Sequence, residues 1–192
     1  MEDVMGKGGL NALLSLAGLD AYIDEPPPNN LARQFDFVYL SSICQALENI
    51  YGARGGRGMA LRIGRACFAR GMKTFGAMAG MTDPAFIALP ISARTRLGLD
   101  ALAAIFTNFS DQHSTVSEYN DYYEFSTEVS PMAWGRSTDK SVCHALTGII
   151  QESLRWASDG YEFHVQEISC RATGGDVCVF RVNKKPIGQV MS

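Results

Sequence analysis

The sequence predicts an α+β fold in which helices pack on a twisted antiparallel sheet, and a change of hydrophobic period carries that prediction. Apolar residues recur at helical spacing up to residue 109, and from residue 114 they alternate, with aromatic and β-branched residues dominating. The order of segments is helices, hairpin, helix, hairpin, which favours an antiparallel sheet over a doubly wound parallel one. A chain of 192 residues is long enough for one ordinary domain with a hydrophobic core, and for two only with strain. Within 1–192 the reading is a single domain with an N-terminal extension over 1–30, a helical part over 31–112, and a sheet with a closing hairpin over 113–185.

Each element follows from local signals. Residues 11–19 have apolar positions at helical spacing, and the acidic, proline-rich stretch 24–30 breaks the chain after them. A helix is expected over 35–51, turning Phe37, Leu40, Ile43, Cys44, Leu47 and Ile50 to the core and ending at Gly52. Cys44 is thereby a packing thiol. Residues 52–58 are rich in glycine and arginine and lead into a helix over 59–78. Its small residues Gly64, Ala66, Gly71, Gly76 and Gly80 include glycines that each cost about 1 kcal/mol of helix propensity relative to alanine. Close approach of another helix, a subunit or a ligand would offset that cost. Thr82 or Asp83 with Pro84 starts a short helix that Pro90 ends, and Ser92 caps a longer one to about residue 108. Strands are expected over 115–118 and 122–129 around an Asn120-Asp121 turn, then a loop over 130–139, a helix over 141–158, and strands over 161–172 and 177–183.

Composition bounds the function. Apolar residues make up 46% and charged residues 19%, which indicates neither extended disorder nor a membrane protein. No apolar run reaches the roughly eighteen residues needed to cross a bilayer, and residues 1–9 lack the order of a secretory signal. The expectation is a cytoplasmic protein. A net charge of −3 gives no reason to expect nucleic acid as the main partner.

Five cysteines in a reducing compartment are more often thiols, metal ligands or catalytic groups than disulfides. Cys170 and Cys178 lie equidistant from Gly174, so a hairpin centred there places them opposite one another, about 4.5–5.5 Å apart at Cβ. Two thiolates at that separation can share a zinc ion. Glu167 would fall on the other face of a regular strand, so its joining them requires a bulge near Ile168 or Ser169. Cys143, at the start of the preceding helix, can supply a fourth ligand, since a helix N-terminus favours thiolate. A disulfide or two packing thiols need no more than the same hairpin, and residue types alone favour packing thiols.

The tail Val165-Gln-Glu-Ile-Ser-Cys-Arg-Ala-Thr-Gly-Gly-Asp-Val-Cys-Val-Phe-Arg-Val182 resembles the closing motif of the 4-vinyl reductase domain family, and Ser-Val-Cys143-His-Ala-Leu-Thr-Gly148 resembles that family's earlier cysteine. The resemblance is strong over residues 142–182 and weaker upstream through 51–58 and 64–66. It implies a structural zinc held by Cys143, Glu167, Cys170 and Cys178. It also implies the ligand-binding fold shared with nitric oxide signalling and Golgi trafficking proteins, often dimeric, as in aromatic-responsive transcription activators. Some relatives carry two further cysteines where this chain has residues 130–133 before Trp134-Gly-Arg136, so no metal or redox role of that loop is expected.

The expected ligand is a hydrophobic or aromatic small molecule in an apolar cavity near the zinc hairpin. Candidate lining residues are Phe106, Phe109, Tyr122, Phe125, Trp134 and Trp156, with His113 and Trp134 as polar contacts. Aromatics at these spacings more often form plain core. The basic stretch Arg54, Arg57, Arg62, Arg65, Arg70 and Lys73 lacks the GK[ST] ending of a phosphate loop. It is either a solvated face or a source of Arg62 and Arg65 as partners for a ligand carboxylate, as on a tetrapyrrole. An enzyme or carrier acting on a tetrapyrrole is the alternative to a sensor-like binding domain, and a protein-interaction adaptor is a third reading. No GxGxxG between strand and helix and no recognised catalytic constellation appears.

Overall fold

The computed structural model describes residues 1–76 and 83–189. Gly80, Thr82 and the end of the helix expected to residue 78 lie outside the described residues. Among the described residues six helices, α1 (Glu2–Leu16), α2 (Ala21–Asp24), α3 (Phe37–Phe75), α4 (Pro84–Ile87), α5 (Ile91–Phe109) and α6 (His144–Ala157), accompany four strands, β1 (Ser114–Glu118), β2 (Tyr122–Thr127), β3 (Tyr161–Ser169) and β4 (Cys178–Gln189). The strands form one antiparallel sheet in the order β1-β2-β4-β3, so the last strand in sequence is an inner one. α6 packs on β3 and α5 on β1, α3 lies across α6, and α1 packs behind α3. The α+β fold with an antiparallel sheet is as the sequence predicts.

Boundaries differ where glycine and tertiary packing decide. The leading helix begins at Glu2 rather than residue 11, with acidic Glu2 and Asp3 in its first turn and a break at Gly6, a charge placement that suits a helix N-terminus. Within the expected N-terminal extension over 1–30, Leu13, Leu14 and Leu19 are buried in the core. Asp36 starts α3 by accepting a hydrogen bond from the Val38 N–H. Gly52, at φ 68°, interrupts α3, but the chain resumes as helix at once rather than at Met59. The reason lies at Gly56, where an added Cβ would stand 2.9 Å from the Glu48 Cα: a left-handed glycine makes the corner and a second glycine lets the two helical halves touch. Within the first half Ile43, Cys44 and Leu47 are buried as expected, whereas Ile50 is exposed. Burial pushes the Cys44 thiol up to about 11, in keeping with a packing role. Asp83 caps α4 through the Ala85 N–H; α5 is preceded by Pro90 at its N-cap, and the expected Ser92 cap does not form.

The core runs between the sheet and α5 and α6, with Phe125, Leu99, Leu146, Ile150, Leu154, Phe180 and Val182 almost wholly removed from solvent. α3 and α6 cross with their backbones in contact. A Cβ on Gly64 would collide with the Ala145 carbonyl, and one on Gly148 with the Leu61 carbonyl, so the close helix approach expected from the small residues of α3 is found at Gly64. Arg65, one residue on, donates to both carboxylate oxygens of Glu162 on β3, at 2.9 Å each, and to Gln151 of α6. This fork fixes α3 and α6 to the edge of the sheet.

Two substitutions test these contacts. Gly148→Val is expected to lower unfolding free energy in urea by about 3 kcal/mol or more, whereas Gly58→Ala, on an exposed face of α3 with open space around it, is expected to raise it by up to about 1 kcal/mol. Arg65→Ala should cost about 1 kcal/mol at neutral pH, since both partners are partly exposed. The hydrogen bond from Arg65 holds the Glu162 carboxyl below its ordinary value. Its contribution is therefore complete above the unfolded value of about 4.3 and lost as pH falls through the lowered folded value, so the deficit of Arg65→Ala should shrink in acid.

Candidate metal cluster and apolar cavity

The C-terminal hairpin brings its acids together through one irregularity. Glu167 pairs with Phe180 and Ser169 with Val179, so β3 holds one extra residue between them, at Ile168. That shift is the bulge the sequence requires near Ile168 or Ser169. It leaves Ile168 exposed, and Cys170 and Cys178 adjoin the last pair of that ladder, Ser169 with Val179. β3 stops at Ser169 instead of running to 172, because residues Arg171–Thr173 form a 3-10 turn closed by Gly174 at φ 90°. The Cys170 carbonyl accepts from the Thr173 and Gly175 N–H groups and from the Thr173 hydroxyl, which ties the turn under the cysteine.

Cys143 arrives from the N-cap position of α6. Its N–H donates to Glu167 Oε2 at 3.0 Å, so the carboxylate also caps the helix. One ligand atom from each of Cys143, Glu167, Cys170 and Cys178 lies within 4.8 Å of all the others. The three cysteines are fully buried, with Cys143 Sγ 3.6 Å from Cys178 Sγ and 4.0 Å from Cys170 Sγ. The Ser130 hydroxyl stands 3.1 Å from Cys143 Sγ, and the Arg171 N–H donates to Cys178 Sγ at 3.4 Å.

Four acids in so small a buried volume cannot all ionise alone. Burial, then the neighbouring Cys170 sulfur, pushes Glu167 up to about 8. Contacts with Cys170 and Cys178, and burial, hold the Cys143 thiol far above its ordinary value. Cys170 moves the other way, because its contacts with the Cys143 and Cys178 sulfurs favour its ionised form. Meanwhile Glu167 Oε1 is buried with no hydrogen-bond partner, an arrangement that ordinarily costs about 1–3 kcal/mol. A divalent cation would satisfy that oxygen and stabilise every thiolate at once. The cluster could hold a metal.

A second feature lies between the later half of α3 and α5. A cavity of about 230 Å³ is lined by Leu31, Cys67, Phe68, Gly71, Met72, Phe75, Gly76, Leu102, Ile105, Phe106, Phe109 and Ile149. Of the ligand-contact residues expected from the sequence it gathers Phe106 and Phe109, together with Gly71 and Gly76 from the run of small residues. Phe125 is buried core, edge-on to Phe106 with ring centroids 6.3 Å apart, and Trp156 stacks on Phe86. His113 is exposed before β1. Tyr122 sits on the other face of the sheet from buried Tyr123 and Phe125, stacked on Tyr119 with Arg181 over its ring. Trp134 is half exposed against Phe37 and borders a separate open depression of about 600 Å³ with Arg33, Asp111 and Phe109. Arg62 is exposed, and Arg65 is already committed to Glu162, so neither reaches the cavity as a carboxylate partner. Sequence reasoning missed Cys67, Phe68, Met72 and Phe75, for which the run of small residues on the same helix was the only hint.

Residues 124–184 match the model of the V4R domain. No curated protein sequence matches the chain. Among solved structures, the phenol-responsive sensory domain of the transcription activator PoxR with phenol is 16% identical, covering 78% of this chain and 74% of that one, with a TM-score of 0.57. An H-NOX protein from S. oneidensis in an Fe(II)NO ligation state is 13% identical over 96% of this chain and 94% of that one, at 0.60. A mutant H-NOX of T. Tengcongensis is 15% identical over 97% and 92%, at 0.57. Identities this low establish the shared fold and nothing finer. The stretch 124–184, which supplies Cys143, Glu167, Cys170 and Cys178, thus carries a V4R domain match within a fold similar to those of the PoxR sensory domain and H-NOX proteins.

Proposed function

We propose that the chain is a single zinc-stabilised domain that captures a hydrophobic or aromatic small molecule, in the manner of a sensor. The observation that carries this reading is the apolar cavity of about 230 Å³ between α3 and α5, in a fold whose relatives include a phenol-responsive sensory domain. Close-packed interiors rarely leave such space, and mostly apolar concavities are the usual form of small-molecule sites. The V4R match over residues 124–184 supports the same reading.

The metal is proposed as zinc on the chemistry of the donors. Three thiolates and a carboxylate suit a soft-tolerant, tetrahedral dication. Bonds of about 2.3 Å in a tetrahedron put sulfurs about 3.8 Å apart, against 3.6 and 4.0 Å for Cys143 to Cys178 and Cys170. Four protein ligands leave no position for water or substrate, so the ion's role is structural: it pins the N-terminus of α6 to the hairpin. Among the described residues no helix is long and apolar enough to cross a membrane.

Native mass spectrometry of the freshly purified chain should give one zinc per chain and a retained apolar molecule, with the dimeric state the family resemblance implies. Cys178→Ser should lower zinc affinity at least tenfold and lower the unfolding midpoint with it. A chain that is fully folded without stoichiometric metal would overturn the zinc assignment, and one whose cavity takes up no apolar molecule would overturn the sensor reading.

A further inference from the structure

The lining of the cavity restricts what can enter it. Among the described residues that line it, only the Cys67 side chain can donate a hydrogen bond, and a thiol is a weak donor. The surface that these residues expose to the cavity is almost wholly apolar. His113, Trp134, Arg62 and Arg65, the polar groups that the sequence offered for ligand contact, all lie elsewhere. A ligand hydroxyl or carboxyl entering here would leave its water partners and find no replacement, a loss of about tenfold or more in affinity.

Gly71 gives the second constraint. It lies inside α3, where glycine weakens the helix relative to alanine. Other glycines near it have packing reasons: Gly64 admits the α6 backbone, and a Cβ on Gly76 would stand 2.5 Å from the Met72 carbonyl. Gly71 has none, since an added Cβ would meet nothing within 4 Å among the described residues. Yet Gly71 lines the cavity, so what its missing side chain preserves is empty volume. A cavity of about 150 Å³ takes benzene, and this one is about half as large again.

Resting on the reading of the cavity as the ligand site, we propose that it selects a hydrocarbon without hydrogen-bonding groups, about the size of two fused aromatic rings. Gly71 sets the upper limit of that size. Discrimination against hydroxylated aromatics follows from a lining that offers no polar side chain beyond the weak Cys67 donor.

Naphthalene and 1-naphthol, equal in carbon frame and different by one hydroxyl, are the probes. Equilibrium dialysis against the full-length chain should give one naphthalene per chain, bound at least about tenfold more tightly than 1-naphthol. Gly71→Leu should weaken naphthalene at least tenfold while raising the melting temperature of the ligand-free chain by about 2–4 °C. Should that variant not fold, Gly71→Ala is expected to show both effects, the loss of affinity being smaller. Equal or tighter binding of 1-naphthol overturns the selectivity while leaving the cavity as a ligand site. Unchanged naphthalene affinity in both Gly71 variants overturns the role of Gly71. Binding of neither probe to the unaltered chain overturns the selectivity and the ligand site together.

Discussion

Backbone contact between α3 and α6 sets the position of nearly everything else. At the crossing, Gly64 and Gly148 each face a carbonyl of the other helix, with no side chain between. α6 then lies on β3 and presents its N-terminal Cys143 to the hairpin, while Ile149, next to Gly148, reaches the cavity wall. On the other helix, Arg65 follows Gly64 and forks onto Glu162, and Cys67 and Phe68 open the cavity lining. The two glycines cost intrinsic helix stability, and the packing of two large helices compensates for it.

The cysteine cluster presents the opposite problem, since its neighbours repel rather than attract when ionised. Burial and mutual contact push Glu167 up and Cys143 up, while the same contacts draw Cys170 down toward its ionised form. The orphaned Glu167 Oε1 adds an unmade interaction at the same point. The hairpin bulge, the 3-10 turn and the α6 N-terminus are arranged around this cluster as though around a positive charge. The hydrogen bond that Glu167 accepts from the Cys143 N–H shows how the carboxylate both caps a helix and faces the thiols.

Much of this was legible in the sequence because it depended on short-range spacing. The alternation from residue 114 announced the sheet, and the spacing Glu167, Cys170, Cys178 demanded the bulge that the register contains at Ile168. What escaped depended on contacts far apart in the chain. Gly52 was readable as a helix end, but the immediate restart of α3 relies on Gly56 nesting against Glu48. Phe106 and Phe109 were singled out as aromatics on an amphipathic helix, but so were Tyr122 and Trp156, and only packing separates cavity wall from sheet surface and stacked core. The arginines of α3 offered charge without direction. A carboxylate 97 residues away claimed Arg65.

The strand order has a consequence for how the chain reaches this state. β4 pairs with both β2 and β3, so those two strands share no neighbour until residues 178–189 are available. During synthesis the helices and the β1–β2 hairpin are complete in sequence before the strand that joins the sheet exists, and Cys178, its first residue, arrives with it. Sheet closure and completion of the cysteine cluster are therefore late, long-range events. The contacts they need are of the kind that slows folding and leaves strand edges open in the interval, and a nascent chain halted before residue 178 would expose both edges of the gap that β4 fills.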